Sequence, residues 1–163
     1  MHHAVGLCQL HQESVKPLEL ASRIRFDTYN FHSLGYFALI SPHFEKFADR
    51  DAGISIESIN VLFVLRGNDL TEAIEVLIKL EAKLISHPVK WRTHLGELHP
   101  PNKAPLIRIE PLLFRHRALR IIRQLQYLCM AAIQQEKLVC YGNGVAYRYL
   151  CGIKLPPGTV EYS

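Results

Sequence analysis

The sequence predicts an α+β fold that is mainly α with a short β component. Two segments without Pro or Gly, residues 70–86 and 114–137, carry apolar residues at helical spacing. A third segment, residues 18–28, alternates between apolar and polar residues, as a half-buried strand does. Because 48% of the 163 residues are hydrophobic, the chain can bury a core, and we expect a single globular domain over residues 18–155.

Residues 1–17 precede this domain and are polar and irregular, which predicts a flexible or strand-adding arm. Within the arm, Cys8 and His11 form a CxxH pair that can ligate zinc, but no second pair at zinc-knuckle spacing follows. We therefore expect neither a metal nor another cofactor. The four cysteines are too few and too widely spaced for a disulfide scaffold, which indicates buried thiols in a reducing compartment.

Composition narrows the function classes. The net charge is +4 and the pI is about 8.9, a mildly basic balance that permits nucleic-acid binding without requiring it. The chain has no apolar run long enough to predict a membrane span and starts unlike a signal peptide, so we expect a cytoplasmic protein that binds no membrane. No catalytic motif is recognisable, and Glu110 is the only acid between Glu97 and Glu136. This scarcity of acids disfavours two-metal nucleases and glycosidases, and we expect no enzymatic activity.

In the alternating segment, Ile24 and Phe26 lie on one predicted strand face, and Arg23 and Arg25 lie on the other. An ordinary half-buried strand with solvated arginines has this pattern. A β-ribbon that enters a DNA groove has it too, because arginine can hydrogen-bond a guanine edge at two points. Both interpretations remain open from spacing alone.

Residues 29–65 are harder to assign. Residues 29–40 are apolar and aromatic and fit either a short helix or a second strand. Ser41 and Pro42 suit a helix start, as N-cap and first helical residue. The helix that follows would direct Phe44 and Phe47 inward. The apolar run 54–65 fits a helix or a buried strand.

Residues 66–86 predict the most regular element. Arg66, Gly67 and Asn68 indicate a turn, and Asp69 with Glu72 matches a capping box. A helical stripe of apolar residues follows, made of Leu70, Ala73, Ile74, Leu77, Leu80, Leu84 and Ile85.

Residues 87–105 contain four prolines, three histidines and the only tryptophan. They predict a long connection or hairpin, and a possible boundary within the domain. Lys90 and Arg92 flank Trp91, an arrangement that can grip nucleic acid. A tryptophan that anchors the segment to the core is the other interpretation. Residues 106–109 predict a short strand that Pro111 closes.

The segment 114–137 predicts a long helix with one apolar and one basic face. Arginines near a helix N-terminus oppose the helix dipole, so stability alone does not favour them there. They can contact phosphate or an acidic partner surface, or simply be solvated. The basic residues are Arg115, His116, Arg117, Arg120 and Arg123. Beyond this helix, residues 138–141 fit its frayed end or a strand, and we expect residues 156–163 to be a loose tail.

Three stretches together resemble a known group of proteins. SRIRFDT followed by YNFHSLGYF is similar to a groove-reading strand that runs into a first helix, and ESINVLFVL with LTEAIEVLIKLEAKL to the later helices. EPLLFRHRALRIIRQLQYLCMAAIQQEKL is similar to a long C-terminal helix after a proline-bearing linker. The order resembles ribbon-helix-helix-related accessory and regulatory proteins of integrating conjugative elements and conjugative plasmids. The resemblance implies a ribbon-helix-helix-like core, dimerisation through paired ribbons, and base contacts from Arg23, Arg25 and Thr28.

These observations support two hypotheses. The first is a DNA-binding accessory protein or transcriptional regulator, a homodimer that binds double-stranded DNA through the Arg-bearing strand, with the basic helix start gripping phosphate. The second is a non-enzymatic protein-interaction subunit of a larger assembly, with no nucleic-acid role. The apolar and aromatic stretches 54–65 and 29–40 support it, because they exceed what one small core buries.

Overall fold

The computed structural model describes residues 3–11, 14–17, 23–26, 30–48 and 61–143, with side chains over 30–47 and 65–139. The helices are α1 (Phe31–Ile40), α2 (Glu45–Ala48), α3 (Asn68–Ile85) and α4 (Arg115–Gln134). The strands are β1 (His3–His11), β2 (Ser14–Pro17), β3 (Arg23–Phe26), β4 (Val61–Leu65), β5 (Lys90–Arg92), β6 (Gly96–Leu98), β7 (Ile107–Ile109), β8 (Leu112–Phe114) and β9 (Leu138–Asn143). The α+β class is confirmed, and most of the buried side chains belong to the helices.

Five strands form one antiparallel sheet around β1. Strand β9 pairs with one edge of β1, and β4 pairs with the far edge of β9. Strands β2 and β3 share the other edge of β1, opposite residues 8–11 and 3–6 respectively. Of the two forms expected for the arm over residues 1–17, flexible or strand-adding, the structure shows the strand-adding one: its backbone is strand at 3–11 and 14–17, and β1 pairs with β9 and β3 as well as with the neighbouring β2.

The ambiguous segment 29–40 forms helix α1. Asn30 caps it, since its side-chain oxygen accepts hydrogen bonds from the backbone amides of His32 and Ser33 at 3.0 and 3.4 Å. Ser41 is the C-cap of α1 instead of an N-cap, because a 3₁₀ turn over residues 41–43 follows directly. The expectation that Phe44 and Phe47 face inward is confirmed.

The apolar run 54–65 ends in strand β4, and its residues 54–60 lie outside the described part. Gly67, with φ of 54°, then turns the chain into α3. Gly67 is the N-cap of α3, and Asp69 lies in its first turn, where the carboxylate favours the helix dipole. The predicted helix 70–86 is confirmed as α3, except that Ile85 of its stripe is exposed.

Residues 90–114 form a long β-hairpin. Strand β5 pairs with β8 at its base, and β6 pairs with β7 further out. The strand predicted over 106–109 is confirmed as β7. At the base, Leu113 is fully buried and Trp91 packs against the core. Gly35 of α1 lies so close to Leu113 that an added Cβ would stand 2.8 Å from Leu113 Cδ2.

Helix α4 follows the hairpin and packs antiparallel to α3. Its predicted apolar face is buried, except that Ile121 is only partly buried and Ile133 is 44% exposed. The inner face consists of Ala118, Ile122, Leu125, Leu128, Cys129 and Ala132. Helix α4 also lies against β1, β3 and β9, so it joins the α3 side of the molecule to the sheet. None of the helices in the described ranges is long and apolar enough to cross a membrane.

Candidate interaction surface on helix α4

Helix α4 begins at a fixed point. Its N-cap, Phe114, has no capping side chain of its own, but the Phe114 amide donates a 2.9 Å hydrogen bond to the hydroxyl of Tyr36. Tyr36 is buried in α1. The hydroxyl thus satisfies one backbone donor at the helix start and holds it against α1.

Arg115 serves the fold. Its Nη1 donates to the backbone oxygens of Ile85 at 3.2 Å and His87 at 2.7 Å, at the end of α3. Carbonyls at a helix C-terminus lack intrahelical partners and carry negative partial charge, which a guanidinium compensates. Arg115 is therefore engaged with backbone and is not a free basic group on the surface.

Arg123 is also engaged within the molecule. Its Nε lies 2.7 Å from Glu81 Oε1, while Gln126 donates to Glu81 Oε2 at 2.8 Å. These contacts connect the middle of α3 to the middle of α4. The hydrogen bond from Gln126, followed by that from Arg123, lowers the pKa of Glu81 below its ordinary value of 4.5.

Arg117 and Arg120 are exposed, and their surroundings differ from those of Arg115 and Arg123. The Arg117 guanidinium lies over the Phe114 ring, 5.7 Å from its centroid. Within the described residues, no carboxylate contacts either arginine. The sequence of α4 contains no Asp or Glu at all, so the helix supplies no counter-charge of its own.

Apolar side chains continue the same exposed face. Tyr127 is 68% exposed and Met130 is 50% exposed. The arginines, Tyr127 and Met130 recur at spacings that place them on the solvent side of the helix, and we call Arg117, Arg120, Tyr127 and Met130 the α4 outer face. A shallow hollow of about 450 Å³ opens on it, lined by His116, Arg120, Arg123, Gln124 and Tyr127.

Ile78 of α3 borders this face. It is 55% exposed and lies one helical turn before Glu81, whereas Tyr127 and Met130 follow Gln126. Because α3 and α4 are antiparallel and Glu81 contacts Gln126, these apolar side chains lie on the same stretch of the helix pair. Sequence analysis missed Ile78. The signal was present, since an isoleucine outside the predicted apolar stripe has no place in the core.

A second group of exposed apolar side chains lies at the outer hairpin and the start of α1. It consists of Phe31, Leu98, Leu106 and Ile107. An open groove of about 480 Å³ runs between these elements. Arg108 and Glu97 lie 3.7 Å apart on its hairpin side, so its charges are mixed and largely balanced.

The predicted base-reading residues have a definite backbone position. Arg23 and Arg25 lie on β3, opposite Gly6 and Ala4 of β1. Their side chains, and Thr28 entirely, lie outside the described part, as do the side chains of Cys8 and His11. Strand β3 is next to α4, so the two predicted basic regions belong to neighbouring elements.

The structure distinguishes the two interpretations of Trp91. Its ring lies 4.8 Å from that of His87 between centroids and is partly buried against the core, which is the anchoring role. Cys129 is a core residue, and its burial raises the pKa of the thiol to about 12. Among the residues whose positions are described, no three His, Cys, Asp or Glu side chains come together as metal ligands.

Comparison with known proteins adds no family to this description: no family model or curated protein matches the sequence, and no solved structure matches the fold.

Proposed function

We propose that this chain is a cytoplasmic, non-enzymatic protein-interaction subunit of a larger assembly, and that it binds its partner through the α4 outer face and Ile78. The observation that carries the proposal is the group of exposed apolar side chains on the paired helices α3 and α4. Single exposed apolar residues are ordinary, but a contiguous group beside charged residues is typical of a protein-binding surface.

The distribution of arginines supports a protein partner over a nucleic acid. Of the arginines of α4, Arg115 and Arg123 bond to groups within the molecule, whereas Arg117 and Arg120 contact no carboxylate among the described residues. A surface that binds DNA through phosphates uses many such residues, since each phosphate contact adds to affinity. Two exposed arginines next to Tyr127 and Met130 fit a mixed apolar and charged interface better.

Site-specific photo-crosslinking tests this proposal. A photoreactive amino acid replaces Tyr127 in one variant and Lys103, an exposed position on the β-hairpin, in the control. We expect position 127 to crosslink to one protein, identified by mass spectrometry, in the cells that produce the chain. The purified partner should then bind the unmodified chain, and Tyr127→Ser with Met130→Ser should weaken that binding at least about tenfold. Equal crosslinking at both positions, or crosslinks to nucleic acid alone, would contradict the proposal.

A second candidate, which the resemblance motivates, is a dimeric DNA-binding accessory protein or regulator. The adjacency of β3 and α4 favours it, because Arg23, Arg25, Arg117 and Arg120 then lie on neighbouring elements. Binding to duplex DNA should weaken steeply with salt, by roughly one logarithmic unit per logarithmic unit of salt for each phosphate contacted. The Arg23→Ala, Arg25→Ala double variant should lose sequence preference. Absence of a duplex complex at low salt would exclude this candidate.

A further inference from the structure

We infer that the partner presents an acidic amphipathic helix, which lies along α4 with carboxylates beside Arg117 and Arg120 and apolar side chains against Tyr127 and Met130. This inference rests on the proposed function and specifies the chemistry of the partner. It follows from the charge, the exposed apolar side chains and the length of the α4 outer face.

One end of the α4 outer face is positively charged. Arg117 and Arg120 are exposed on a helix without a single carboxylate, and the nearby Glu81 is already bonded to Arg123 and Gln126. Arg117 lies in the first turn, where the helix dipole is unfavourable for a cation. A carboxylate from a partner compensates both the missing counter-charge and the unfavourable dipole, because it pairs with the arginine and lies near the positive end of the helix dipole.

The other end of the α4 outer face is apolar. Tyr127 lies about two turns beyond Arg120, and Met130 a further turn along. Ile78 is at the same level along the antiparallel helix pair, since it lies one turn before Glu81, which contacts Gln126. From Arg117 to Met130 the surface is about 20 Å long, at 1.5 Å per residue. A helix of about 14 to 16 residues spans this length, and an amphipathic one offers carboxylates and apolar side chains at matching positions.

The same features argue against two other occupants. A second copy that pairs α4 with α4 brings no carboxylate to the arginines, because α4 contains none. A DNA duplex supplies negative charge to Arg117 and Arg120, but its phosphate backbone gives no favourable contact to Met130 and Ile78. A partner helix with both acidic and apolar residues pairs with the two arginines and also covers the exposed apolar side chains.

A display selection tests the inference. The purified full chain is the bait, and the probe is a displayed library of random 16-residue peptides with high helix propensity. We expect enriched peptides to carry an excess of Asp and Glu at one end and Leu, Phe or Trp at helical spacing at the other. Arg117→Gln with Arg120→Gln should weaken binding of the enriched peptides about tenfold. Arg66→Gln, a control at an exposed arginine outside α4, should leave binding unchanged.

The alternatives give different results. Enriched peptides without excess acid, or peptides insensitive to the arginine variant, overturn the acidic helix while leaving the proposed interaction function standing. The absence of any enriched peptide also overturns the inference. If, in addition, a 30-base-pair duplex binds in an Arg117-dependent manner, the proposed function fails as well. Light scattering tests for a second copy as the occupant. A dimer that Tyr127→Ser converts to a monomer would show that a second copy covers the surface, and would overturn the inference.

Discussion

The inner and outer faces of α4 use similar side chains for different purposes. On the inner face, Ile122 is completely buried and packs with residues of α3 and the hairpin base. On the outer face, Tyr127 and Met130 are at least half exposed, although they are as apolar as many core residues. Apolar character alone therefore does not place a residue in the core. Its angular position on a helix with fixed neighbours does.

The arginines of α4 divide in the same way. Arg115 donates to two carbonyls at the end of α3, and Arg123 pairs with Glu81, so both contribute to the fold. Arg117 and Arg120 have no such partner among the described residues. In the sequence these four arginines look equivalent. The position of α3 determines which of them bond within the fold and which can meet a partner. The following predictions test whether this division also holds energetically.

The largest expected difference is between one buried and one exposed apolar side chain. Ile122→Ala should lower the free energy of unfolding by about 2–5 kcal/mol, because it removes buried methyl groups and leaves a cavity. Tyr127→Ala should change it by less than about 0.5 kcal/mol, as most exposed substitutions do. Urea denaturation of both variants measures this. Similar losses for the two variants would mean that the outer face is packed.

Among the arginines, Arg115→Met should cost about 1–2 kcal/mol, since two carbonyls at the end of α3 lose a charged donor. Arg120→Met should stay within about 0.5 kcal/mol of the wild type. Thermal and urea unfolding of the two variants compare them directly. Equal stabilities would show that the contact of Arg115 with the end of α3 contributes little.

Gly35→Ala should reduce stability by about 1 kcal/mol, despite the better helix propensity of alanine, because the new Cβ meets the buried Leu113. A double-mutant cycle with Leu113→Ala provides the control. In the Leu113→Ala background the contact with Leu113 Cδ2 is gone and Pro111 Cγ, at 3.2 Å, is the nearest remaining atom, so Gly35→Ala should cost at least about 0.5 kcal/mol less than in the wild type. An equal cost in both backgrounds would show that the contact with Leu113 is not the cause.

A smaller, pH-dependent effect is expected at Glu81. The pKa of Glu81 is lowered in the folded state, so its contribution is fully present above the ordinary value of 4.5 and is lost as pH falls through the folded pKa. Glu81→Gln should therefore cost about 0.5 kcal/mol at pH 7 and less than that at pH 3. Urea midpoints at both pH values measure this, with Glu75→Gln as the control. A cost of equal size at both pH values would point to lost packing instead.

The last prediction concerns the chemical reactivity of the Cys129 thiol and involves no change in the free energy of unfolding. Because burial raises its pKa to about 12, Cys129 should remain unmodified by iodoacetamide at pH 8 in the folded protein and react fully in denaturant. Peptide mapping by mass spectrometry separates it from the other cysteines. Rapid labelling in the native state would show that the inner face of α4 opens readily.

Sequence analysis predicted the regular helices well and the sheet only in part. Helices α3 and α4 and the strand at residues 23–26 follow from local periodicity, which is encoded within each segment. Strand β1 could not be predicted in this way. Its partners are β9, β2 and β3, and the nine-residue segment becomes a strand because those partners satisfy its backbone.

The candidate surface shows the same limit. The basic residues of α4 are visible in the sequence, but Arg115 and Arg123 were predicted as phosphate contacts alongside Arg117 and Arg120. Their intramolecular partners, Ile85, His87 and Glu81, lie 28 to 42 residues away. No local pattern connects residues at that separation, so sequence could identify the charge without identifying which part of it is free.

The position of β1 in the sheet has a consequence for how the chain folds. Its longest pairing joins His3 to Asn143 and Cys8 to Leu138, near opposite ends of the sequence. During synthesis, β1 cannot pair with β9 until residues 138–143 have left the ribosome, at least 130 residues after residue 8. Contacts of such long sequence separation slow folding, whereas the α3–α4 pair can form from a nearly contiguous segment. The two helices that carry the proposed interface can thus be in place before the sheet closes.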